Sequence, residues 1–233
     1  MFKKKAFIAV LIIFFTFVSA VWAGDSAVYV DLGFSKDGKT YMFGQYGVQD
    51  QSLRPWAEIF IVDVNRNVFI PNGRVSILHN DPIRAGQDGS GVFHQLVSNN
   101  YDLASRHGIN FQNQGLPLYI SRDENPPAFG ERINFRDFIS RRSFIAQLVP
   151  TISGSGQNAR SQFYINLEVT SSNGQVKKYT AGTPNHVRQG VAQYNIKRAL
   201  IDSGGNSLIF VIEMKRFAAN GFDIRYMIEA VSL

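Results

Sequence analysis

Along this chain the apolar positions recur mostly with a period of two, the period of a strand with one buried face. Residues 27–34 and 39–46 are apolar, aromatic and β-branched, and Ser35-Lys36-Asp37-Gly38 between them carries turn chemistry, which predicts a hairpin. Residues 57–64 (AEIFIVDV) predict a third strand with apolar residues on both faces. Short strands follow at 68–70 and 74–78, the second stopped by Asn80-Asp81-Pro82, because the residue before proline is pushed into extended geometry. The period then changes: Val92, Phe93, Leu96, Val97, Tyr101 and Ala104 recur at three- and four-residue spacing, and Gly108 stands where a left-handed terminator belongs. This predicts one amphipathic helix over 90–107.

Residues 112–127, rich in Asn, Gln, Gly and Pro, predict a long surface connection. Residues 133–138 and 143–152 predict a hairpin around Ser140-Arg141-Arg142, although Phe135, Phe138, Ile139, Ile145 and Val149 also fit a helical face. Residues 162–170 (QFYINLEVT) alternate cleanly, and Asn173-Gly174 turns them into a strand at 175–179. Residues 193–201, 207–214 and 223–231 predict three more strands separated by glycine-containing turns. The expected fold is therefore mainly β: an antiparallel, sandwich-like or partly curled sheet packed by one helix. Residues 34–43 and 201–210 also share one pattern, an apolar residue, a small polar turn, a glycine and an apolar strand.

The first 23 residues follow another rule. Lys3, Lys4 and Lys5 precede an uncharged apolar run over 6–18, and small residues close it at Val18-Ser19-Ala20 and Val21-Trp22-Ala23. That is the layout of a secretory signal with cleavage expected after Ala23; the alternative is an uncleaved anchor, because the run extended to Ala23 nearly reaches spanning length. A single exported domain is expected over 24–233, with no membrane span once the signal is removed. The chain has no cysteine, which excludes a disulfide framework and a lipid anchor through cysteine. The formal charge of +6 loses three lysines with the signal, so the remaining charge demands neither nucleic acid nor an anionic membrane.

Residues 31–47 (DLGFSKDGKTYMFGQYG) followed by AEIFIVDV resemble a repeat of the TolB-type β-propellers, which implies most of one blade. The chain is too short for a full propeller of its own. The same opening, its continuation GQYGVQD (44–50) and YNIKRALIDSGGNSLIFVIE near the end resemble an uncharacterised family of predicted secreted bacterial proteins. That resemblance implies export and supplies no activity.

Candidate chemistry is sparse. His79, His94, His107 and His186 stand in no metal-ligand spacing, no serine lies in G-x-S-x-G, and the glycine-rich segments 86–91 and 154–156 fit no dinucleotide or phosphate loop. His79 with Asp81 reads as a loop histidine beside a turn, and Asp88 or Ser90 as a helix cap. No cofactor and no metal are expected. Tyr41, Phe43, Tyr46 and Trp56, in or beside the first strands, are candidate anchors of a binding surface, with core packing as the competing reading. Asp31, Glu58 and Asp63 are candidate carboxylates for hydrolysis of a glycoside. The expected role is non-enzymatic binding of an envelope protein or polysaccharide by a periplasmic or secreted protein; the alternative is an extracytoplasmic carboxylate-dependent hydrolase.

Overall fold

A computed structural model describes residues 24–122, 130–219 and 221–233. The expected signal over 1–23 and its cleavage site lie outside the described residues, as do 123–129 of the expected surface connection. Among the described residues thirteen strands form three open antiparallel sheets, as the mainly β reading expects. The first sheet is a meander of β1 (Val28–Phe34), β2 (Thr40–Val48), β3 (Pro55–Asp63) and β4 (Val68–Leu78). The second contains β6 (Arg132–Asp137), β7 (Arg142–Ser153) and β8 (Arg160–Thr170), with β9 (Val176–Ala181) and the two-residue β10 (Arg188–Gln189) sharing the far edge of β8. The third has the order β13 (Gly221–Ser232), β12 (Ser207–Ala218), β11 (Val191–Ile201), β5 (Leu116–Ile120).

The third sheet is the middle layer. Its Leu200, Ile209, Val211, Ile228 and Ala230 meet Phe34, Tyr41, Phe43 and Phe60 of the first sheet. Its Ala199, Ile201, Leu208, Phe210 and Ile212 meet Phe144, Phe163, Ile165 and Leu167 of the second. A strand covered on both faces loses its polar alternation, which is why β12 opens as the unbroken apolar run Leu208 to Ile212. Each large side chain so enclosed contributes roughly 1.5–3 kcal/mol of burial. The outer face of the first sheet, with Leu32, Met42, Ile59 and Ile61, is covered by α1 (Ser90–Asn99) and α2 (Tyr101–Arg106) through Phe93, Leu96 and Ala104. Contact there is close: a Cβ on Gly44 would stand 2.4 Å from the Phe93 ring.

Several expectations change. The single helix over 90–107 breaks at Asn100, whose side-chain amide donates to the Leu96 carbonyl at 2.8 Å and competes with the helical ladder. Tyr101 accordingly points outward, 59% exposed, instead of extending the apolar face. Gly108, at φ +67°, terminates the second helix as expected. The expected surface connection contains β5, an edge strand that pairs with β11 from Leu116 to Ile120. The two short strands at 68–70 and 74–78 are one strand, β4, irregular around Asn72 at φ +58°. The first sheet is a four-stranded meander on which the third sheet stacks face to face, with the second sheet on the far side of the third, and the propeller resemblance is not confirmed.

The two similar hairpin segments fold into the same turn. Ser35 N–H bonds the Thr40 carbonyl and Gly38 N–H the Ser35 carbonyl; Asp202 N–H bonds the Ser207 carbonyl and Gly205 N–H the Asp202 carbonyl. Gly38 and Gly205 both sit at φ +70°, a conformation that costs any residue with a Cβ. The turns also touch: the Ser207 hydroxyl donates to the Gly38 carbonyl at 2.8 Å.

Candidate ligand cleft

A cleft of about 560 Å³ lies between β2–β4 of the first sheet and β11–β13 of the third. Gln45 ties its two walls together, donating to Glu58 Oε2 at 2.8 Å and accepting from the Tyr226 N–H at 2.8 Å. The floor carries apolar surface from Phe43, Phe60 and Met214; Phe43 and Phe60 stack with centroids 4.8 Å apart. Phe69, half exposed, packs on Phe60 at the β4 wall.

At one end the wall is a fixed charged group. Trp56 Nε1–H and Arg225 Nη2 both donate to Asp25 Oδ2 at 2.7 Å, and the Arg225 guanidinium lies 4.3 Å from the centre of the Trp56 ring. The chain beyond Asp25 is held to β13 by Ala27 N–H to the Ile224 carbonyl and Ile224 N–H to the Asp25 carbonyl. Gly47, the register partner of Trp56, leaves room for the indole and for Asp25, since a Cβ there would stand 3.0 Å from Trp56 Cζ2 and 2.8 Å from Asp25 Oδ1.

The remaining cations differ in how they are paired. Arg74 donates to Glu58 Oε1 at 3.2 Å. Arg188 stands 3.5 Å from Glu229, whose carboxyl is pushed up by burial while Asn67 and Arg188 pull it down. Arg216 lines the cleft, is exposed, and has no carboxylate partner among the described residues. Exposed His186 and Gln189 also line the cleft. The chemistry on offer is therefore flat apolar surface beside amides and guanidinium groups, with one cation among the described residues, Arg216, open to an anionic ligand.

The four aromatic candidates do not form one surface. Tyr41 is fully enclosed, its hydroxyl 2.5 Å from that of Tyr29. Phe43 is 1% exposed and reaches the cleft only as floor. Trp56, although largely buried, lines the cleft. Tyr46 lies on the opposite face of the sheet, 5.3 Å from Phe93 of α1. Stacking decides this: the third sheet covers the face with Tyr41 and Phe43, while α1 packs on the face with Tyr46.

The three carboxylates do not converge either. Glu58 lines the cleft, bonded to Gln45 and Arg74. Asp63 accepts from the Arg66 N–H at 3.0 Å and serves the β3–β4 turn. Asp31 is enclosed near Tyr41, and its Oδ1 is buried without a hydrogen-bond partner. Burial pushes its carboxyl up to about 7, against the Tyr41 hydroxyl, the Gly33 N–H and Arg198, which pull it down. Among the described residues no group of three or more His, Asp or Glu side chains stands close enough to hold a metal ion, and no helix is long and apolar enough to cross a membrane.

Sequence reasoning missed the cleft cations. Arg216 and Arg225 sit on β12 and β13, far along the chain from β3, and alternate there with ordinary sheet residues. No local pattern sets them apart; only the packing of the third sheet on the first brings them to Trp56 and Glu58.

No curated protein and no solved structure matches the chain. A family model described as "Predicted secreted protein (DUF2259)" matches residues 42–232, which takes in every residue lining the cleft. The chain belongs to this family of predicted secreted proteins, a domain of unknown function.

Proposed function

We propose that this is a non-enzymatic, periplasmic or secreted binding protein whose cleft takes an envelope polysaccharide carrying acidic groups. The observation that carries the reading is Arg216, an exposed guanidinium without a carboxylate partner among the described residues, in a cleft that also presents Phe69, Trp56, Gln45 and Gln189. Rings and thioethers offer flat apolar surface to a sugar face, amides hydrogen-bond hydroxyls, and a guanidinium matches a carboxylate or phosphate in two-pronged geometry. Binding is favoured over hydrolysis because Glu58 is the only one of the three candidate carboxylates in the cleft, and its oxygens are engaged by Gln45 and Arg74. Residues 24–233 are read as one folding unit, supported by a middle sheet whose two faces serve two different cores.

The test is calorimetric titration of the exported protein with acidic and neutral envelope polysaccharides. An acidic chain is expected to bind, and Arg216→Gln to weaken it about tenfold or more, since a hydrogen bond to a charged group contributes about 1.5–3 kcal/mol. Phe69→Ala is expected to weaken it as well. Equal binding of acidic and neutral chains, or wild-type affinity in both variants, would refute the reading.

A further inference from the structure

The turn between β6 and β7 carries Phe138 and Ile139, 82% and 83% exposed, the two most exposed large hydrophobic side chains of the described residues. Turn positions are normally polar, and two adjacent apolar side chains standing in water contribute nothing to the core. The tip is nevertheless held in shape. The Asp137 carboxylate accepts from the Ile139 N–H at 2.9 Å and from the Ser140 hydroxyl. Arg142 donates to Ser140 Oγ at 2.9 Å and to the Gly205 carbonyl at 2.7 Å, and lies 3.7 Å from Asp137. Although burial works the other way, the Ser140 hydroxyl, the Ile139 and Ser140 N–H groups and Arg142 hold the Asp137 carboxyl below its ordinary value.

The surroundings of the tip are cationic. The Arg136 guanidinium stands 5.9 Å from the Phe138 ring, and Arg141 is exposed at the turn itself. Through Gly205 the tip abuts the β11–β12 turn, which abuts the β1–β2 turn with its exposed Lys36 and Lys39. The carboxylates at this end are engaged: Asp137 by Arg142, Asp202 by the Asn206 and Ser207 N–H groups at 2.6 Å each, and Asp37 by Lys39 at 3.6 Å. Arg136, Arg141 and Lys36 have no ion pair among the described residues. Ile120, 58% exposed, shares a shallow surface hollow with Phe138 on the side of β5.

We infer that this end of the molecule docks on an anionic phospholipid bilayer, with Phe138 and Ile139 inserted at the boundary of headgroups and acyl chains. Arg136, Arg141 and Lys36 then lie among the phosphates. A convex apolar pair flanked by unpaired cations fits a fluid apolar layer beneath a negative surface, and a tip already shaped by Asp137 and Arg142 loses little freedom on insertion. Two side chains make a weak, reversible contact, so the negative surface charge is needed for retention.

Co-sedimentation of the exported protein with vesicles tests this, using phosphatidylcholine alone and phosphatidylcholine mixed with phosphatidylglycerol. Retention on the mixed vesicles is expected, with loss at high salt. Phe138→Ser/Ile139→Ser is expected to lower the partition coefficient about tenfold or more, as removal of two inserted apolar side chains requires. Arg136→Gln/Arg141→Gln is expected to lower it about twenty-fivefold, at roughly fivefold per cation. These positions are exposed, so unchanged thermal melting confirms that the variants fold. In Phe138→Trp, tryptophan emission should shift to the blue on mixed vesicles only. Absent retention, retention unchanged in the serine variant, or a concentration-dependent dimer that disappears in that variant without any vesicle binding would overturn the proposal.

Discussion

Asp31 makes stability depend on pH in a direction opposite to that of most carboxylates. Its group is enclosed near Tyr41, with Oδ1 buried and unpartnered, and its ionisation is displaced from the ordinary 3.8 to about 7, chiefly by burial. The folded chain therefore binds this proton more tightly than the unfolded chain. Between about pH 4 and pH 7 the unfolded state has released the proton and the folded state has not, so stability falls as pH rises through that window and then levels off. At about 1.4 kcal/mol per pH unit, a displacement of this size corresponds to at most about 4 kcal/mol, and relaxation around the carboxylate reduces it. Asp31→Asn removes the titration while keeping the shape and one acceptor for the Tyr41 hydroxyl. The variant is expected to unfold at a denaturant concentration close to wild type near pH 4, and to exceed wild type by about 2–4 kcal/mol near pH 8. Urea unfolding of both proteins across that range measures it. Asp25 and Glu229, whose carboxyls burial also raises, remain in both and cancel in the difference. A difference between the two proteins that stays constant with pH would refute the reasoning.

Asp25→Ala leaves Trp56 Nε1–H and the largely buried Arg225 guanidinium without their shared acceptor, and should cost about 3 kcal/mol in equilibrium unfolding; wild-type stability would show that this charge cluster does not hold the cleft wall. Gly205→Ala places a Cβ 2.8 Å from Arg142 Nη2 at φ +70° and should cost about 1–3 kcal/mol, whereas Gly86→Ala, at φ +85° with open space around it, carries the backbone term alone and should cost about 1 kcal/mol. Equal losses in the two glycine variants, read from thermal melts, would mean that the contact between the two turns adds nothing.

Much of the fold was legible because strands of an antiparallel sheet are specified locally. The hairpins of β1–β2, β6–β7 and β8–β9 follow from alternating residues and from turn chemistry that needs no distant partner, such as Gly38 at φ +70° or Asn173-Gly174. The pattern shared by 34–43 and 201–210 corresponds to one turn geometry, because the same short pattern satisfies the same backbone bonds. Where a distant partner decides, the sequence was ambiguous. Leu116 to Ile120 is a strand only because the edge of β11 is there to pair with it, and Asn100 interrupts a pattern that periodicity alone continues to residue 107.

What the sequence by itself determined, then, is most of the strands and turns and membership of a family of predicted secreted proteins. The tertiary structure decided which faces meet. Alternation says that Phe43, Phe60 and Trp56 share one face of a sheet; it does not say whether water or another sheet covers that face. Because β12 is apolar on both sides, the third sheet must be covered twice, and that requirement buries Tyr41 and Phe43. The same packing carries Arg216 and Arg225 to Glu58 and Trp56, which stand more than 150 residues earlier in the chain, and makes a cleft that no local spacing encodes.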